Sequence, residues 1–269
     1  MFARELRNYL ATARVMLRNI RNRRLDPDMD ALRYIVGRSD TCLHIGASDG
    51  RHSYIMSKLA SNGRIYCFEP SSYSLKILNR AVKLHRLKNI ATEHVAVSDE
   101  QGMTRLLAPV KSSGRVGRSF GFISSNIKSP SELHSHLSST KEIEQEEVRK
   151  ITVDDYCTEN NITSVDFIRC DVEGAEMQVC NGAKKTIDTH LPNISIEIHP
   201  LALAKSFSSS GEEVRDFFLS RGYRMFYIKD SIVKEDTRII NNNWHDYFFI
   251  HPSKIATLPQ GPLYRLMIS

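Results

Sequence analysis

Acidic residues and a histidine follow two apolar segments of this chain, at points where functional side chains are often found. Asp171 and Glu173 come directly after the apolar segment 165–170, and Glu197 and His199 close a later alternating segment. A carboxylate or an imidazole placed in this way can accept a proton from a substrate hydroxyl. The same four groups offer oxygen and nitrogen ligands for an ion such as Mg²⁺. A structural interpretation is also open, since Asp171 is a residue type that can cap the helix predicted to follow it.

A glycine-containing turn and a later acid form a second candidate site, suited to a nucleoside. Residues 41–45 are predicted to form a buried strand, and Gly46 to Gly50 a tight turn into a helix. The next predicted strand, 64–68, ends at Glu69. The acid follows the turn by roughly 20 residues, where nucleotide-binding α/β folds place the carboxylate that binds ribose.

The elements that must position these residues alternate between strand and helix. Strands are predicted over 41–45, 64–68, 89–97, 104–107, 148–153, 164–170, 193–199, 223–228 and 247–250, and the main helices over 28–37, 51–60, 72–86, 175–187 and 212–221. This alternation predicts a doubly wound, mainly parallel sheet. No full helix separates the last two strands, so they are expected to form a hairpin with one antiparallel strand. Ligands of such sheets bind at the carboxyl ends of the strands, which brings both candidate sites to one edge.

Composition and charge narrow the class of protein. The 269 residues are 41% hydrophobic and 25% charged, as in ordinary globular proteins. No apolar run approaches the roughly 18 residues of a membrane-spanning helix, and the N-terminus lacks the features of a signal peptide. The five cysteines form no CxxC pair and are interpreted as buried, reduced thiols. These features together predict a cytoplasmic protein.

The net charge of +6 comes mainly from the N-terminus. Residues 1–24 contain seven arginines and one glutamate, and the rest of the chain is close to balanced, so no nucleic-acid groove is predicted. Residues 2–22 form an amphipathic pattern that favours a helix packed on its own domain or on a dimer partner. Contact with the surface of an anionic membrane is the alternative.

The predicted organisation is an N-terminal helical segment, 1–38, and one Rossmann-like domain, 39–269. Within the domain, residues 108–147 change to a small, serine-rich and then acidic composition and are expected to form an irregular insertion. Two interpretations of the insertion are open: a solvated loop, or a lid that shapes a pocket for the acceptor.

Several short motifs occur together in one order along residues 40–200. They are His-Ile-Gly-Ala-Ser-Asp-Gly (44–50), Phe-Glu-Pro (68–70), Val-Ala-Val-Ser-Asp (95–99), Ile-Thr-Val-Asp-Asp (151–155), Val-Asp-Phe-Ile-Arg-Cys-Asp-Val-Glu-Gly-Ala-Glu (165–176), Asn-Gly-Ala (181–183) and Ile-Glu-Ile-His (196–199). In this set of motifs the chain resembles the FkbM family of S-adenosylmethionine-dependent methyltransferases. The resemblance implies a class I methyltransferase fold, with a seven-stranded sheet whose last strand is antiparallel and with helices on both faces.

The resemblance also implies a cofactor and a substrate class. Members of the family typically methylate hydroxyl groups of sugars, glycolipids or secondary metabolites, so a small-molecule or glycan acceptor is expected. Glu69 would accept hydrogen bonds from both ribose hydroxyls, the turn would line the methionine and ribose portions, and Ala96 and Val97 would flank the adenine. The implied cofactor-binding set comprises His44, Gly46, Ala47, Ser48, Asp49, Gly50, Glu69, Pro70, Ala96, Val97 and Asp171.

Two positions depart from the family pattern. His44 stands where members usually have an acid, and Ser48 where they usually have asparagine. His44 is therefore expected either to orient the turn in place of the acid or to be a histidine satisfied inside the core. It also supports one alternative function, a catalytically degenerate nucleoside- or glycan-binding protein. The other alternative is an NAD-dependent oxidoreductase, against which the turn lacks the full GxGxxG pattern.

Methyl transfer predicts the roles of the acceptor-side residues. The sulfonium already activates the methyl group, so the protein must align the acceptor in line with it. An alcohol is a poor nucleophile while it is protonated, so a base or a metal is expected. Asp171 is the first candidate for the base and His199 the second. Asp171, Glu173, Glu197 and His199 are the candidate ligands of a Mg²⁺-like ion.

Overall fold

The computed structural model describes residues 10, 13, 27–111, 122–123, 140–229, 232–240, 244–261 and 265. The strands in chain order are β1 (Thr41–Ile45), β2 (Arg64–Phe68), β3 (Ile90–Glu93), β4 (Ala96–Val97), β5 (Gly102–Lys111), β6 (Phe122–Ile123), β7 (Thr140–Ile151), β8 (Phe167–Cys170), β9 (Asn193–Ile198), β10 (Arg224–Lys229), β11 (Ile232–Glu235) and β12 (His245–Ile250). The helices are α1 (Pro27–Ala31), α2 (Arg51–Leu59), α3 (Ser72–Leu84), α4 (Val153–Glu159), α5 (Glu176–Gly182), α6 (Lys184–His190), α7 (Pro200–Phe207) and α8 (Gly211–Leu219), with 3₁₀ segments at Leu32–Tyr34 and Pro252–Thr257.

Eight strands form the main sheet, in the order β11-β10-β12-β9-β8-β1-β2-β3. The five strands from β9 to β3 are parallel to one another. Strand β12 is antiparallel to both of its neighbours, β9 and β10. The prediction of a mainly parallel class I methyltransferase sheet with an antiparallel last strand is therefore confirmed.

The strand count differs from the predicted seven because the connection between β10 and β12 contains one more strand. Strand β11 pairs with β10 in an antiparallel hairpin and forms the edge of the sheet. Its four residues are too few to give a separate periodic signal in the sequence, since strand prediction depends on alternation over several residues.

Both faces of the main sheet are covered, because alternate side chains of each strand point to opposite sides. Leu43 and Ile45 of β1 pack in a cluster with residues of α4 to α8, such as Val179 and Val214. Cys42, from the same strand, packs in the other cluster, which contains Met56 of α2 and Leu78 of α3. The predicted helices on both faces are confirmed. The five cysteines, Cys42, Cys67, Cys157, Cys170 and Cys180, are buried and unpaired.

A second sheet of four strands, in the order β4-β7-β5-β6, is built on a long hairpin. We call β5 and β7 together the β-arm. The prediction of irregular structure over 108–147 is wrong at both ends, since residues 108–111 and 140–147 belong to the paired strands of the arm. The strand is missed because the acidic composition of residues 142–147 lacks the apolar alternation by which strands are predicted. Charged side chains are nevertheless compatible with strand pairing where opposite charges face each other, as Arg105 and Glu147 do. Residues 112–121 and 124–139 lie outside the described residues, so the lid interpretation stays a prediction.

The segment before β1 belongs to the same core as the main sheet. Helix α1 and the 3₁₀ segment replace the predicted helix 28–37, and Ala31, Leu32, Ile35 and Val36 pack beneath the sheet, although the predicted domain begins at residue 39. The predicted helix 2–22 lies outside the described residues, apart from Leu10 and Ala13, which are helical. Within the described part of the chain, a helix with the length and apolarity needed to span a membrane is absent.

Candidate active site

The turn after β1 is held against both neighbouring strands. The N–H groups of Gly46 and Ala47 each donate to the carbonyl oxygen of Phe68 over 3.0 Å. Gly46 has a φ of +76°, and a Cβ there would lie 1.8 Å from the backbone oxygen of Asp171. Only glycine fits this approach without a shift of the backbone. The turn therefore lies directly against the end of β8, which brings the two predicted halves of the site into contact.

Glu69 lies across the turn and is held by backbone amides. Its Oε2 accepts a hydrogen bond from the Ser48 N–H over 2.7 Å, and its Oε1 accepts one from the Ser71 N–H over 2.8 Å. Burial raises the pKa of Glu69 to about 7, and the two amide bonds act against this rise. Each carboxylate oxygen has a further lone pair, so the group can accept a pair of hydroxyl donors as well.

Some of the other residues of the predicted cofactor set lie in or beside the turn, and the rest lie in the second sheet. Ala47 and Asp49 are largely buried in the turn, and Pro70 follows Glu69 at the end of β2. Ala96 and Val97 are 1% and 3% exposed and pair with Lys150 and Ile151 of β7. Their predicted contact with adenine stays a prediction, and it would have to be made by backbone atoms or after a local rearrangement.

Residues that sequence reasoning does not single out lie at the end of β3, next to Glu69. Glu93 accepts a hydrogen bond from the Tyr156 hydroxyl over 3.0 Å. His94 Nε2 lies 2.9 Å from the carbonyl oxygen of Pro70. Their position at the carboxyl end of a strand is the available signal, but the prediction of one strand over 89–97 places that end four residues too late.

His44 is buried on the side of the sheet that faces α2. Its Nδ1 lies 2.6 Å from the Ser53 hydroxyl, which also accepts a hydrogen bond from the Cys67 thiol. Burial holds the pKa of His44 well below its usual value, and the nearby His52 and Arg169 lower it further. A neutral His44 thus joins β1 to α2, the two elements on either side of the turn.

A cluster of acids surrounds His199 at the ends of β8 and β9. His199 Nε2 lies 3.1 Å from Glu173 Oε2 and 3.2 Å from Glu197 Oε1, and its Nδ1 lies 2.9 Å from Glu176 Oε1. Burial acts to lower the pKa of His199, but the hydrogen bonds to Glu176 and Glu197 raise it to about 11. The imidazolium therefore donates from both nitrogens, and in this state it has no lone pair with which to accept a proton.

Arg169 lies beneath these acids and is 1% exposed. Its Nη1 donates to the Ser195 hydroxyl over 3.1 Å and to Asp246, and its Nη2 donates to Glu197 Oε2 over 3.3 Å. The same Nη2 lies 3.7 Å from Asp171 Oδ2. Arg169 thus fixes one carboxylate on each of three strands or strand ends, and its guanidinium partly offsets their mutual repulsion.

Asp171 and Glu173 are the acids of this cluster with raised proton affinity. Burial and the negative charge of Glu197 raise the pKa of Asp171 well above its usual value, although Arg169 acts in the opposite direction. Burial raises the pKa of Glu173 to about 7, against the effect of His199. Glu173 also has a φ of +53°, an uncommon conformation that turns its side chain back towards His199.

The described cluster contains more negative than positive groups. Five carboxylates, those of Asp171, Glu173, Glu176, Glu197 and Asp246, surround the cations Arg169 and His199. Ligand atoms of Asp171, Glu173 and His199 lie within 4.8 Å of one another. The carboxylate oxygens of this set suit Mg²⁺ or Mn²⁺, and Glu176 on Nδ1 is the kind of partner that orients a ligand histidine. His199 itself can be a ligand only after it loses its Nε2 proton. The oxygen donors therefore fit the predicted ion, and the protonated histidine does not.

Sequence reasoning misses Arg169, Glu176 and Asp246 as members of the cluster. The first two lie inside the motif 165–176, so the motif itself is the signal. Asp246 lies on β12, beyond all the motifs, and reaches the cluster because it pairs with Glu197 across the sheet. No local pattern in the sequence predicts that pairing.

Comparison with known proteins agrees with this geometry. The chain matches the family model described as methyltransferase FkbM domain over residues 44–225. It is 28% identical over 148 residues to the 2-O-methyltransferase NoeI of Sinorhizobium fredii (strain NBRC 101917 / NGR234), a match that covers 54% of this chain and 58% of that protein. The matched part thus spans little more than half the length of this relative.

The chain is also similar to solved structures at low sequence identity. The precorrin-6y C5,15-methyltransferase of Geobacter metallireducens GS-15 is 10% identical, with coverage of 82% of this chain and 83% of that chain and a TM-score of 0.43. Aeropyrum pernix fibrillarin with bound S-adenosyl-L-methionine is 15% identical, with coverage of 90% and 73% and a TM-score of 0.40. The family match spans over half of the chain and includes Glu69, Asp171 and His199. The chain belongs to the FkbM methyltransferase family.

Proposed function

We propose that the protein transfers a methyl group from S-adenosylmethionine to a hydroxyl group of a sugar, a glycolipid or another hydroxylated small molecule. One observation carries the proposal. The turn that faces Glu69 lies directly against the backbone of Asp171. The two are so close that a Cβ on Gly46 would clash with the backbone oxygen of Asp171. The carboxylate proposed to bind the nucleoside and the acidic groups proposed to accept a proton thus lie on one edge of the sheet, an arrangement that supports transfer between two substrates.

The cofactor half would be formed by the turn and Glu69. The Ser48 and Ser71 amides hold the Glu69 carboxylate in place, so its oxygens would be positioned for the two ribose hydroxyls. Gly46 and Ala47 would line the methionine portion of the cofactor. When bound, S-adenosylmethionine supplies a methyl group already activated by the positive sulfur.

Asp171 is the residue we assign as the base. Its side chain is 29% exposed, whereas Glu176 is fully buried and already occupied by His199 and the Gly174 N–H. In its ionised form, a carboxylate with a raised pKa takes up a proton from an alcohol more readily than an ordinary one. His199 is the second candidate from the sequence, but with both nitrogens donating it acts to orient Glu173 and Glu197.

A divalent ion is the second means of activating the hydroxyl. Asp171, Glu173, Glu197 and His199 would hold it, and the ion would lower the pKa of an acceptor hydroxyl at the same place. Its positive charge would also balance the excess of carboxylates in the cluster. His199 would have to give up its Nε2 proton to become a ligand, so ion binding would release a proton.

The acceptor is expected to be a small molecule or a glycan. The relative NoeI is described as a 2-O-methyltransferase, which supports a hydroxyl as the methylated group. A homodimer or a peripheral membrane contact through residues 2–22 stays a prediction, since those residues lie almost entirely outside the described part of the chain. A cytoplasmic location is likewise a prediction.

Labelled methyl transfer tests the proposal. The protein is incubated with S-adenosylmethionine carrying a tritiated methyl group and with fractionated glycan and small-molecule extracts. A methyl ether survives mild alkali, whereas a methyl ester is hydrolysed, so alkali-stable label excludes a carboxylate acceptor. Mass-spectrometric identification of an O-methylated product in the labelled fraction then supports a hydroxyl acceptor. Label released by alkali would contradict it, and absence of uptake in all fractions would favour the degenerate binding protein.

A further inference from the structure

Glu146, a residue of the second sheet, lies next to the loop that carries Glu69. Glu146 is on β7 of the β-arm, and its Oε2 accepts a hydrogen bond from the Ser72 N–H over 3.1 Å. The adjacent amide, that of Ser71, donates to Glu69 over 2.8 Å. Two neighbouring amides at the start of α3 are therefore held by carboxylates from two different sheets.

His94 forms a second connection between the arm and this loop. Its Nε2 lies 3.3 Å from Glu146 Oε1 and 2.9 Å from the carbonyl oxygen of Pro70. Pro70 directly follows Glu69. Glu146 therefore holds the loop from 69 to 72 directly at Ser72, and through His94 at Pro70. Both side chains are partly exposed, 31% for Glu146 and 41% for His94, so these contacts remain accessible to water.

Glu146 is also one of the negative groups that act on Glu69. Its charge and that of Asp49 favour the protonated form of Glu69, while the amides of Ser71 and Ser48 favour the ionised form. The effect of burial is larger than any of these and raises the pKa of Glu69 to about 7. His94 is a further titratable neighbour of the loop, through its contact with Pro70.

We propose that Glu146 is a positioning residue for the cofactor, through which the β-arm controls the placement and the charge of Glu69. The inference rests on the proposed function, because it takes Glu69 as the ribose-binding group. It goes further in that the arm, which lies outside the Rossmann-like sheet, becomes part of the cofactor site.

The test is the affinity for S-adenosylhomocysteine, measured by calorimetry from pH 5.5 to 8.5 in four proteins. They are the wild type, Glu146→Gln, Glu146→Ala and the control Glu147→Gln. The Gln variant keeps an oxygen for the Ser72 amide but removes the charge, whereas the Ala variant removes both. Glu147 is the adjacent acid on the same strand, is exposed and faces Arg105 instead of the loop.

Wild-type affinity should fall as the pH drops through about 7, because Glu69 becomes protonated. In Glu146→Gln the midpoint should move to lower pH by roughly 0.2 to 0.7 units, as expected for partly exposed charge pairs. Glu146→Ala should in addition weaken binding at pH 8 by about two- to tenfold, the effect of one lost hydrogen bond. The control should match the wild type. The same four proteins are also measured with His94→Gln added to each. A shift of the midpoint that persists in this background cannot come from protonation of His94.

An unchanged midpoint in Glu146→Gln, or wild-type affinity at pH 8 in Glu146→Ala, would overturn the inference while leaving the proposed function intact. Failure of the wild type to bind S-adenosylhomocysteine at any pH would instead overturn the proposed function, and with it the role assigned to Glu146. A purely structural role would weaken binding in Glu146→Ala without moving the midpoint in Glu146→Gln.

Discussion

The two halves of the site hold their carboxylates in different ways. Glu69, in the cofactor half, is held by the backbone amides of Ser48 and Ser71. The carboxylates of the acceptor half are held by other charged side chains, chiefly Arg169 and His199. Backbone amides keep their charge distribution at every pH, whereas a cluster of ionisable groups changes with protons, ions and ligands. The cofactor half thus holds one carboxylate in a fixed geometry, although burial raises the pKa of Glu69 to about 7. In the acceptor half, the charges of several groups depend on one another.

The largest effect is expected in the acceptor half. Asp171→Asn should lower the rate of methyl transfer by about 10²–10⁴-fold, the usual contribution of a general base. The resemblance also implies that Asp171 contacts the cofactor. If its side chain acts on the acceptor alone, affinity for S-adenosylhomocysteine should change little, since the Asp171 backbone that contacts Gly46 is retained. Initial rates and calorimetry on the same preparation measure both quantities.

Asp188→Asn is the matched control for this substitution. Asp188 pairs with Arg221 on the surface, and its variant should transfer methyl groups at the wild-type rate. Equal loss of cofactor affinity and rate in Asp171→Asn would show that the two halves cannot be separated as described.

The contact between the halves gives the next prediction. Gly46→Ala should lower the free energy of unfolding by more than about 3 kcal/mol, since it adds left-handed strain and a clash with backbone. Gly50→Ala should cost about 1–2 kcal/mol, because the strain is similar but the nearest atom belongs to the Leu78 side chain, which can move. Denaturant unfolding compares the two variants. Equal losses would mean that the turn is not seated against Asp171.

The cofactor half should respond to pH through a single group. At pH 8, Glu69→Gln should weaken binding of S-adenosylhomocysteine by roughly 1.5–3 kcal/mol, as for a hydrogen bond to a charged group. The pKa of Glu69 is raised to about 7 by burial, so below that pH the wild-type carboxyl is neutral as well. Calorimetry at pH 5.5 should therefore show a much smaller difference. A constant difference at both pH values would contradict the role of the charge.

The smallest expected effect is that of ion binding, which should depend on residues of the acceptor half and not on those of the cofactor half. Mg²⁺ at ten times its dissociation constant should raise the free energy of unfolding by about 1.4 kcal/mol, seen as a higher Tm. Glu173→Gln should abolish this gain, while Glu69→Gln and the exposed control Glu159→Gln should retain it. A gain that survives in Glu173→Gln would place the ion elsewhere, and no gain in the wild type would favour Asp171 alone as the activating group.

Sequence reasoning is most successful where the site is local. The unit from β1 through the turn to Glu69 is predicted with its strand bounds, because a buried strand, two glycines and an acid leave few alternatives. The parallel arrangement of the central strands follows from the alternation of strands and helices. For His44 the sequence allows two interpretations, and the structure shows it bonded to Ser53 inside the core.

The acceptor half is predictable in its residue types and in their approximate position, but not in its protonation state. That Asp171, Glu173, Glu197 and His199 come together follows from parallel strand ends, and the structure brings them together. The protonated state of His199 is beyond sequence prediction, since it depends on Glu176 and on burial by the surrounding fold. The full β-arm escapes prediction for a similar reason. Its pairing joins residues up to 48 positions apart, from Gly102 with Lys150 to Lys111 with Thr140, whereas hydrophobic periodicity reports only on neighbours within one element.

The most direct test of the account is calorimetric titration of the wild type and Glu69→Ala with S-adenosylhomocysteine and with NAD at pH 8. We expect the wild type to bind S-adenosylhomocysteine and not NAD, and Glu69→Ala to bind it more weakly by roughly 1.5–3 kcal/mol. Binding of NAD in its place, no binding of S-adenosylhomocysteine at millimolar concentration, or equal affinity in the two proteins would contradict the assignment of this edge of the sheet to methyl transfer.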